Sequence, residues 1–154
     1  MASASIAYLH YVAMMTIVVI LVVEHMFCVP GLTGGRIRSL ARLDQLYMGA
    51  AILALGSGVA RVVWFGKGPA FYLHNPVFYL KLALFVAVGL LSIPPTLQYL
   101  RWLRALEAGA ADAAPDYQVL RVRRYVLVEL ILFALIPLMA TFMARGIGIQ
   151  PAAL

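Results

Sequence analysis

The sequence predicts an all-α integral membrane protein, a four-helix bundle that forms a single transmembrane domain over residues 1–154. The first observation is composition: 64% of the residues are hydrophobic and 12% are charged, against about 45–50% and ~25% in soluble domains. So few charges cannot cover a water-facing surface. The second observation is four long apolar runs, because a helix needs ~20 apolar residues to cross the hydrocarbon core. The predicted partner of this surface is the lipid bilayer.

The four runs predict helices at about 6–29, 43–65, 76–99 and 120–143. The first run ends at Pro30-Gly31, and the third begins after Asn75 and reaches about Pro94-Pro95 before its apolar pattern weakens. Transmembrane strands would be shorter and would alternate in polarity, which these runs do not. No Lys or Arg precedes the first run, so we expect a retained helix and not a cleaved signal peptide.

The basic residues predict the orientation of the bundle. Those in the loops after the first and third helices are Arg36, Arg38, Arg42, Arg101, Arg104, Arg121, Arg123 and Arg124. The opposite side holds Arg61, Lys67 and Arg145. Cytoplasmic loops are enriched in Lys and Arg, so both termini are predicted to be non-cytoplasmic in a multi-pass protein of the inner (cytoplasmic) membrane. Because these charges flank apolar runs, the net charge of +6 does not predict nucleic-acid binding.

A basic group is predicted near the outer ends of the helices. It contains His10, Arg61 and Lys81, each about one turn inside its apolar run. Ionisable side chains inside a membrane span are candidates for function. The simpler interpretation is that these side chains lie at the interface or extend to the headgroups. The loop of residues 67–76 lies over the same end and could form a lid or an interfacial anchor.

A second group is predicted near the cytoplasmic ends. Its members are Glu24, His25, Asp44 and Glu129. Three carboxylates at one depth would repel each other unless they hold protons, pair with nearby arginines or bind a cation. The arginines in reach are Arg42, Arg121 and Arg124.

Helical geometry relates the two groups. His10 and Glu24 are fourteen positions apart, which places them on nearly the same face of the first helix, roughly 21 Å apart along its axis. They cannot bind one ion together. The spacing therefore indicates two separate sites, or one path that joins them.

Several sequence motifs resemble those of a bacterial membrane family known as domain of unknown function 2214. The stretches that carry the resemblance are Phe71-Tyr72-Leu73-His74-Asn75-Pro76, Phe78-Tyr79-Leu80-Lys81, Gly89 to Thr96, Ser57-Gly58 to Arg61, and Met143-Ala144-Arg145-Gly146. The resemblance covers nearly the whole chain. It implies a membrane fold and names no activity.

The chain is more distantly similar to two groups of small four-helix proteins, the haem-containing protoporphyrinogen oxidases and the copper-resistance D-type membrane proteins. In that oxidase family, a histidine on the first helix and a lysine early in the third belong to the haem and active-site region. His10 and Lys81 match those positions. The resemblance therefore implies a site at these two residues.

Two functional hypotheses follow, and enzymatic activity is left open because no soluble-enzyme motif is present. The first is a b-type haem or redox protein in which His10 binds haem b and Arg61 and Lys81 neutralise its propionates. A second axial ligand could come from Met14, Met15, His74 or another copy of the chain. The alternative is a small proton, cation or anion transport or channel subunit that uses Glu24, Asp44 and Glu129. This alternative favours a homo-oligomer, because four helices are few for a transporter.

Overall fold

A computed structural model describes residues 1–65, 69–110 and 113–146, and every regular element in it is a helix. The elements are α1 (Ala2–Phe27), α2 (Gly34–Ala60, continued by a π-helical turn at Arg61–Phe65), α3 (Pro69–Leu73), α4 (Pro76–Glu107) and α5 (Asp116–Ala144). Four of these helices are long and apolar enough to cross a membrane. The predicted all-α transmembrane fold is confirmed. Lys67, which entered the prediction of orientation, lies outside the described residues.

Three of the long helices extend past the apolar runs at their charged ends. α2 begins at Gly34, where the Thr33 side chain accepts a hydrogen bond from the Arg36 amide at 3.4 Å. α4 passes through Pro94 and Pro95 and ends at Glu107. α5 begins at Asp116. Arg, Leu and Ala are good helix formers, so the arginine-bearing segments continue the helices beyond the hydrocarbon core.

The four long helices form an antiparallel bundle. α1 packs on α2, α2 on α4, α4 on α5 and α5 on α1, whereas the backbones of the diagonal pairs do not approach each other in the described residues. This is the neighbour pattern of an up-down-up-down bundle. We call the end with the α1–α2 and α4–α5 loops the arginine end, and the end with α3 the aromatic end.

Most of the bundle surface is apolar. In the apolar stretch of each long helix, only 11–28% of the residues are buried inside the bundle. The buried apolar residues of α1, for example, are Ala13, Ile17, Ile20 and Leu21, one stripe at helical spacing. Many other large apolar side chains are exposed on the bundle surface, so lipid is the solvent of this protein.

The loops fix both ends of the bundle. At the arginine end, Gly31 has a φ of +74° and its amide donates to the Asp116 carboxylate at 2.8 Å. At the aromatic end, Asn75 caps α4 by accepting a hydrogen bond from the Val77 amide at 2.9 Å. The Ser3 hydroxyl donates to the Phe65 carbonyl at 3.1 Å and ties the start of α1 to the π-helical turn.

Candidate functional site

Three carboxyl groups converge inside the bundle toward the arginine end. Glu24 of α1, Asp44 of α2 and Glu129 of α5 are 3%, 7% and 1% exposed. Each is an electrostatic neighbour of the other two. We call these three residues the carboxyl triad. The predicted inner group is thus brought together from three different helices.

Helical periodicity explains why each triad member points inward. Glu24 continues the buried stripe of α1 one turn after Leu21. Asp44 lies one turn from Tyr47 on α2, and Glu129 lies between Val126 and Phe133 on α5. Positions three or four apart share one helix face. The same face that packs the apolar core therefore carries the carboxyl groups.

The polar partners of the triad come mainly from α4. The Thr96 hydroxyl donates to the Asp44 carboxyl at 2.7 Å. The Tyr99 hydroxyl donates to Oε2 of Glu24 at 3.4 Å, and the Cys28 sulfur lies 3.5 Å from the same hydroxyl. The Tyr47 side chain faces Glu129. Each carboxyl group therefore has a neutral hydroxyl neighbour.

Two carboxyl oxygens of the triad have no hydrogen-bond partner. They are Oε1 of Glu24 and Oε1 of Glu129, both fully buried. Within the described part of the chain, no ion pair joins any carboxylate to an arginine or lysine. The arginine pairing considered from the sequence is therefore not formed by Arg42, Arg121 or Arg124. Burying a carboxylate without a counter-ion costs several kcal/mol.

His25 lies apart from the triad. Its Nε2 accepts a hydrogen bond from Nε of Arg123 at 3.4 Å, and it is no electrostatic neighbour of Glu24 or Glu129. Residues 1–65, 69–110 and 113–146 contain no group of three or more His, Cys, Asp or Glu side chains able to hold a metal ion. The predicted cation site at Glu24, His25, Asp44 and Glu129 stays a prediction.

The predicted basic group is assembled near the aromatic end. Nδ1 of His10 lies 3.0 Å from the Ala54 carbonyl and 3.0 Å from the Ser57 hydroxyl. A carbonyl only accepts, so Nδ1 carries the proton. Ser57 in turn donates to the Leu53 carbonyl at 2.6 Å. Nε2 of His10 has no hydrogen bond to any described residue, which leaves its lone pair available.

Two basic side chains lie near His10. Arg61 and Lys81 are both electrostatic neighbours of the histidine. The Arg61 guanidinium carbon lies 5.3 Å from the centre of the Tyr11 ring, a cation–π contact. Lys81 forms no hydrogen bond or ion pair with the described residues. The sequence has no Asp or Glu before Glu24, between Asp44 and Glu107 or after Glu129, so these cations have no carboxylate near them in sequence.

The His10 environment suits one axial ligand of a haem. Metal-binding histidines commonly donate their other ring N–H to a carbonyl, as His10 does. Gly58 keeps space beside the ring, since a Cβ there would lie 3.3 Å from Cε1 of His10. Two surface grooves of about 390 and 380 Å³ lie elsewhere, and neither is lined by His10, Arg61 or Lys81. The ring nitrogens of His10 are thus arranged as in a metal-binding histidine, and neither of these two grooves extends to it.

Sequence reasoning missed the hydroxyl partners of both sites. These partners are Tyr47, Ser57, Thr96 and Tyr99. A depth comparison could have found Thr96 and Tyr99, because both follow the proline pair at the level of the acidic group. Ser57 lies three residues after Ala54, one turn along the face that meets His10.

Comparison with known proteins identifies a family. The family described as predicted membrane protein (DUF2214) matches residues 2–148, nearly the whole chain. No curated protein and no solved structure matches the chain.

Proposed function

Because the chain belongs to the DUF2214 family of predicted membrane proteins, whose description states no activity, we propose a function from the side chains inside the bundle. The protein is a proton-handling membrane subunit, and Glu24, Asp44 and Glu129 are its proton-binding groups. The observation that carries this proposal is the pair of buried carboxyl oxygens without a partner.

The environment of the triad favours protonated carboxyl groups. Three negative charges in one buried cluster would repel each other strongly, and no cation balances them among the described residues. The other ionisable side chains that interact with the cluster are the phenols of Tyr47 and Tyr99 and the thiol of Cys28. Carboxyl groups buried in membrane spans recur in proton relays of pumps and transporters. We expect copies of the chain to assemble in the inner membrane, because the four helices of one bundle are few for a complete proton pathway across it.

Infrared spectroscopy tests the protonation of the triad directly. In the purified full chain in lipid, we expect the carbonyl stretch of a protonated carboxylic acid at neutral pH, shifted by deuterium exchange. Glu129→Gln and Glu24→Gln should each remove part of this band. Glu107→Gln is the matched control, since Glu107 is exposed at the end of α4, and it should leave the band unchanged.

Proton movement is the functional readout. Proteoliposomes that contain a pH-sensitive dye should show protein-dependent proton flux, and Glu129→Gln should lower it by at least tenfold while Glu107→Gln retains it. Absence of the protonated-acid band in the unmodified protein would overturn the proposal. Flux that Glu129→Gln leaves unaltered would limit the triad to a structural role.

The second candidate function is binding of a b-type haem at the basic group. The observation that favours it is the hydrogen bond that Nδ1–H of His10 donates to the Ala54 carbonyl. Because the proton is on Nδ1, the lone pair of Nε2 is free to act as a ligand. Arg61 and Lys81 would neutralise the propionates. A bound haem would supply one-electron chemistry, and the chain would supply ligation, burial and positive charge.

A visible absorption spectrum tests this candidate. The full chain, expressed with adequate haem, should show a Soret band that His10→Ala removes and His25→Ala, the control at the arginine end, retains. Lys81→Gln should lower the reduction potential, because a nearby positive charge stabilises the reduced form. A colourless protein under these conditions would rule the candidate out.

A further inference from the structure

A groove lies between α4 and α5 at the arginine end. Its volume is about 390 Å³. Residues of α4 between Ile93 and Arg101 and residues of α5 between Tyr117 and Tyr125 line it. No carboxylate is among them, whereas two guanidinium groups are. The groove is distinct from the carboxyl triad and from the basic group.

Gln118, which lines the groove, is the centre of a hydrogen-bond network between α4 and α5. Its side-chain carbonyl accepts from Nε2 of Gln98 at 2.7 Å and from the indole of Trp102 at 2.9 Å. Its amide donates to the Tyr117 hydroxyl at 3.0 Å. These contacts join α4 to α5 and fix the polar side chains. Gln98 and Gln118, two residues that line the groove, are therefore held together across it.

The two arginines that line the groove are Arg101 and Arg121. Arg101 and Arg121 form no hydrogen bond or ion pair with the described residues. Arg101 lies six residues before the end of α4, and Arg121 lies five residues after the beginning of α5, about 9 Å and 7.5 Å along their axes. Both guanidinium groups are therefore carried at a similar depth, on opposite walls of the groove.

The groove changes character along its length. Ile93 lies eight residues from Arg101 on α4, about 12 Å deeper toward the middle of the span. Beside it, Pro94 and Leu97 make the deeper α4 wall apolar. A ligand that fills the whole groove therefore has an anionic group at the top and a hydrocarbon chain below.

We propose that this groove binds an anionic phospholipid, with its phosphate between Arg101 and Arg121 and an acyl chain along Ile93 and Leu97. Guanidinium groups bind phosphate oxygens in pairs of parallel hydrogen bonds. Basic pockets between transmembrane helices are typical of sites for acidic lipid headgroups. A free phosphate ion offers the same headgroup chemistry but leaves the apolar half of the groove uncovered, so the lipid is the better occupant.

Native mass spectrometry of the full chain from micelles of mixed phosphatidylglycerol and phosphatidylcholine tests the site. We expect the unmodified protein to retain phosphatidylglycerol preferentially. The double variant Arg101→Gln/Arg121→Gln should lose this preference by on the order of tenfold. The matched control is Arg104→Gln/Arg124→Gln, which removes the same charge from the same helices at exposed positions outside the groove, and it should keep the preference.

Three outcomes would overturn the proposal. The unmodified protein could show no preference, or the control pair could lose it as fully as the groove pair, which would indicate general attraction to surface charge. Inorganic phosphate at millimolar concentration could displace all retained lipid, which would assign the site to the free ion. Circular dichroism of each variant distinguishes these results from loss of the helical fold. Leu97→Ala, which shortens the apolar wall and leaves every charge in place, should weaken retention while both arginines are present.

Discussion

At the residue scale, Glu24 offers a direct measure of how the buried acids are accommodated. Its Oε2 accepts from Tyr99, while its Oε1 has no partner. Glu24→Gln keeps an acceptor for the tyrosine and a similar volume. If the carboxyl group is neutral, this change should cost less than about 1 kcal/mol of unfolding free energy. Glu24→Ala should cost about 2–4 kcal/mol, because it adds a cavity and removes the acceptor.

Equilibrium unfolding in mixed detergent micelles measures both variants. Glu107→Ala at an exposed position is the reference and should change the free energy of unfolding by no more than about 0.5 kcal/mol. If Glu24→Gln were as destabilising as Glu24→Ala, the native carboxyl group would have to be charged and paired.

Cys28, the first residue after α1, should react slowly with thiol reagents. Burial raises the pKa of its thiol to about 11. Only the thiolate reacts, and at pH 8 a thiol with that pKa is ionised in about one molecule in a thousand. We expect maleimide labelling of the folded protein to rise about tenfold per pH unit up to that pKa. The unfolded chain should label about a hundredfold faster at pH 8; equal rates in the two states would contradict the burial.

The acidic and basic groups could be predicted from the sequence because charges stand out in apolar helices. Depth along each helix was enough to group Glu24 with Asp44 and Glu129, and His10 with Arg61 and Lys81. Depth does not determine rotation, which depends on packing between helices. For that reason His25, adjacent to Glu24 in sequence, was grouped with the acids although it turns toward Arg123.

At the element scale, the α1–α2 loop depends on Gly31. Its φ of +74° is a conformation that other L-residues adopt at a cost of about 1–2 kcal/mol. Gly31→Ala should therefore destabilise the protein by about 1 kcal/mol, although no atom lies within 4 Å of the added methyl group. Thermal unfolding in detergent measures this change.

Gly35 supplies the control for that prediction. It lies inside α2, where an added methyl group also meets nothing within 4 Å. Alanine has the higher helix propensity, so Gly35→Ala should stabilise by up to about 1 kcal/mol. If both substitutions shifted stability in the same direction, backbone conformation would not be the cause.

The existence and order of the four spanning helices follow from the apolar runs, but their ends do not. Arginines interrupt the apolar pattern before Leu43 and after about Tyr99, yet they favour helix, so α2 and α4 continue through them. The proline pair within the third run locally disfavours helix. α4 passes through it, and Pro95 is itself buried against the bundle. Packing overrides the local preference.

At the scale of the whole molecule, an even number of spans places the start of α1 and the end of α5 at the same end of the bundle. The charge distribution predicts that this end is non-cytoplasmic. A C-terminal alkaline phosphatase fusion, which is active only outside the cytoplasm, should therefore be active, and a C-terminal green fluorescent protein fusion exported through the same route should be dark. The reverse result would invert the predicted orientation and leave the fold unchanged.

The π-helical turn at Arg61–Phe65 has a consequence for tolerance to changes in chain length. Such a turn accommodates one more residue than the α-helical turn it replaces. Removal of a single amino acid, Val63 for example, would let the segment rewind as ordinary α-helix without altering the register of α2 before it. The same deletion in the middle of α1 would rotate every later side chain of that helix by about 100°. Natural length variation within this fold should therefore concentrate just after Arg61.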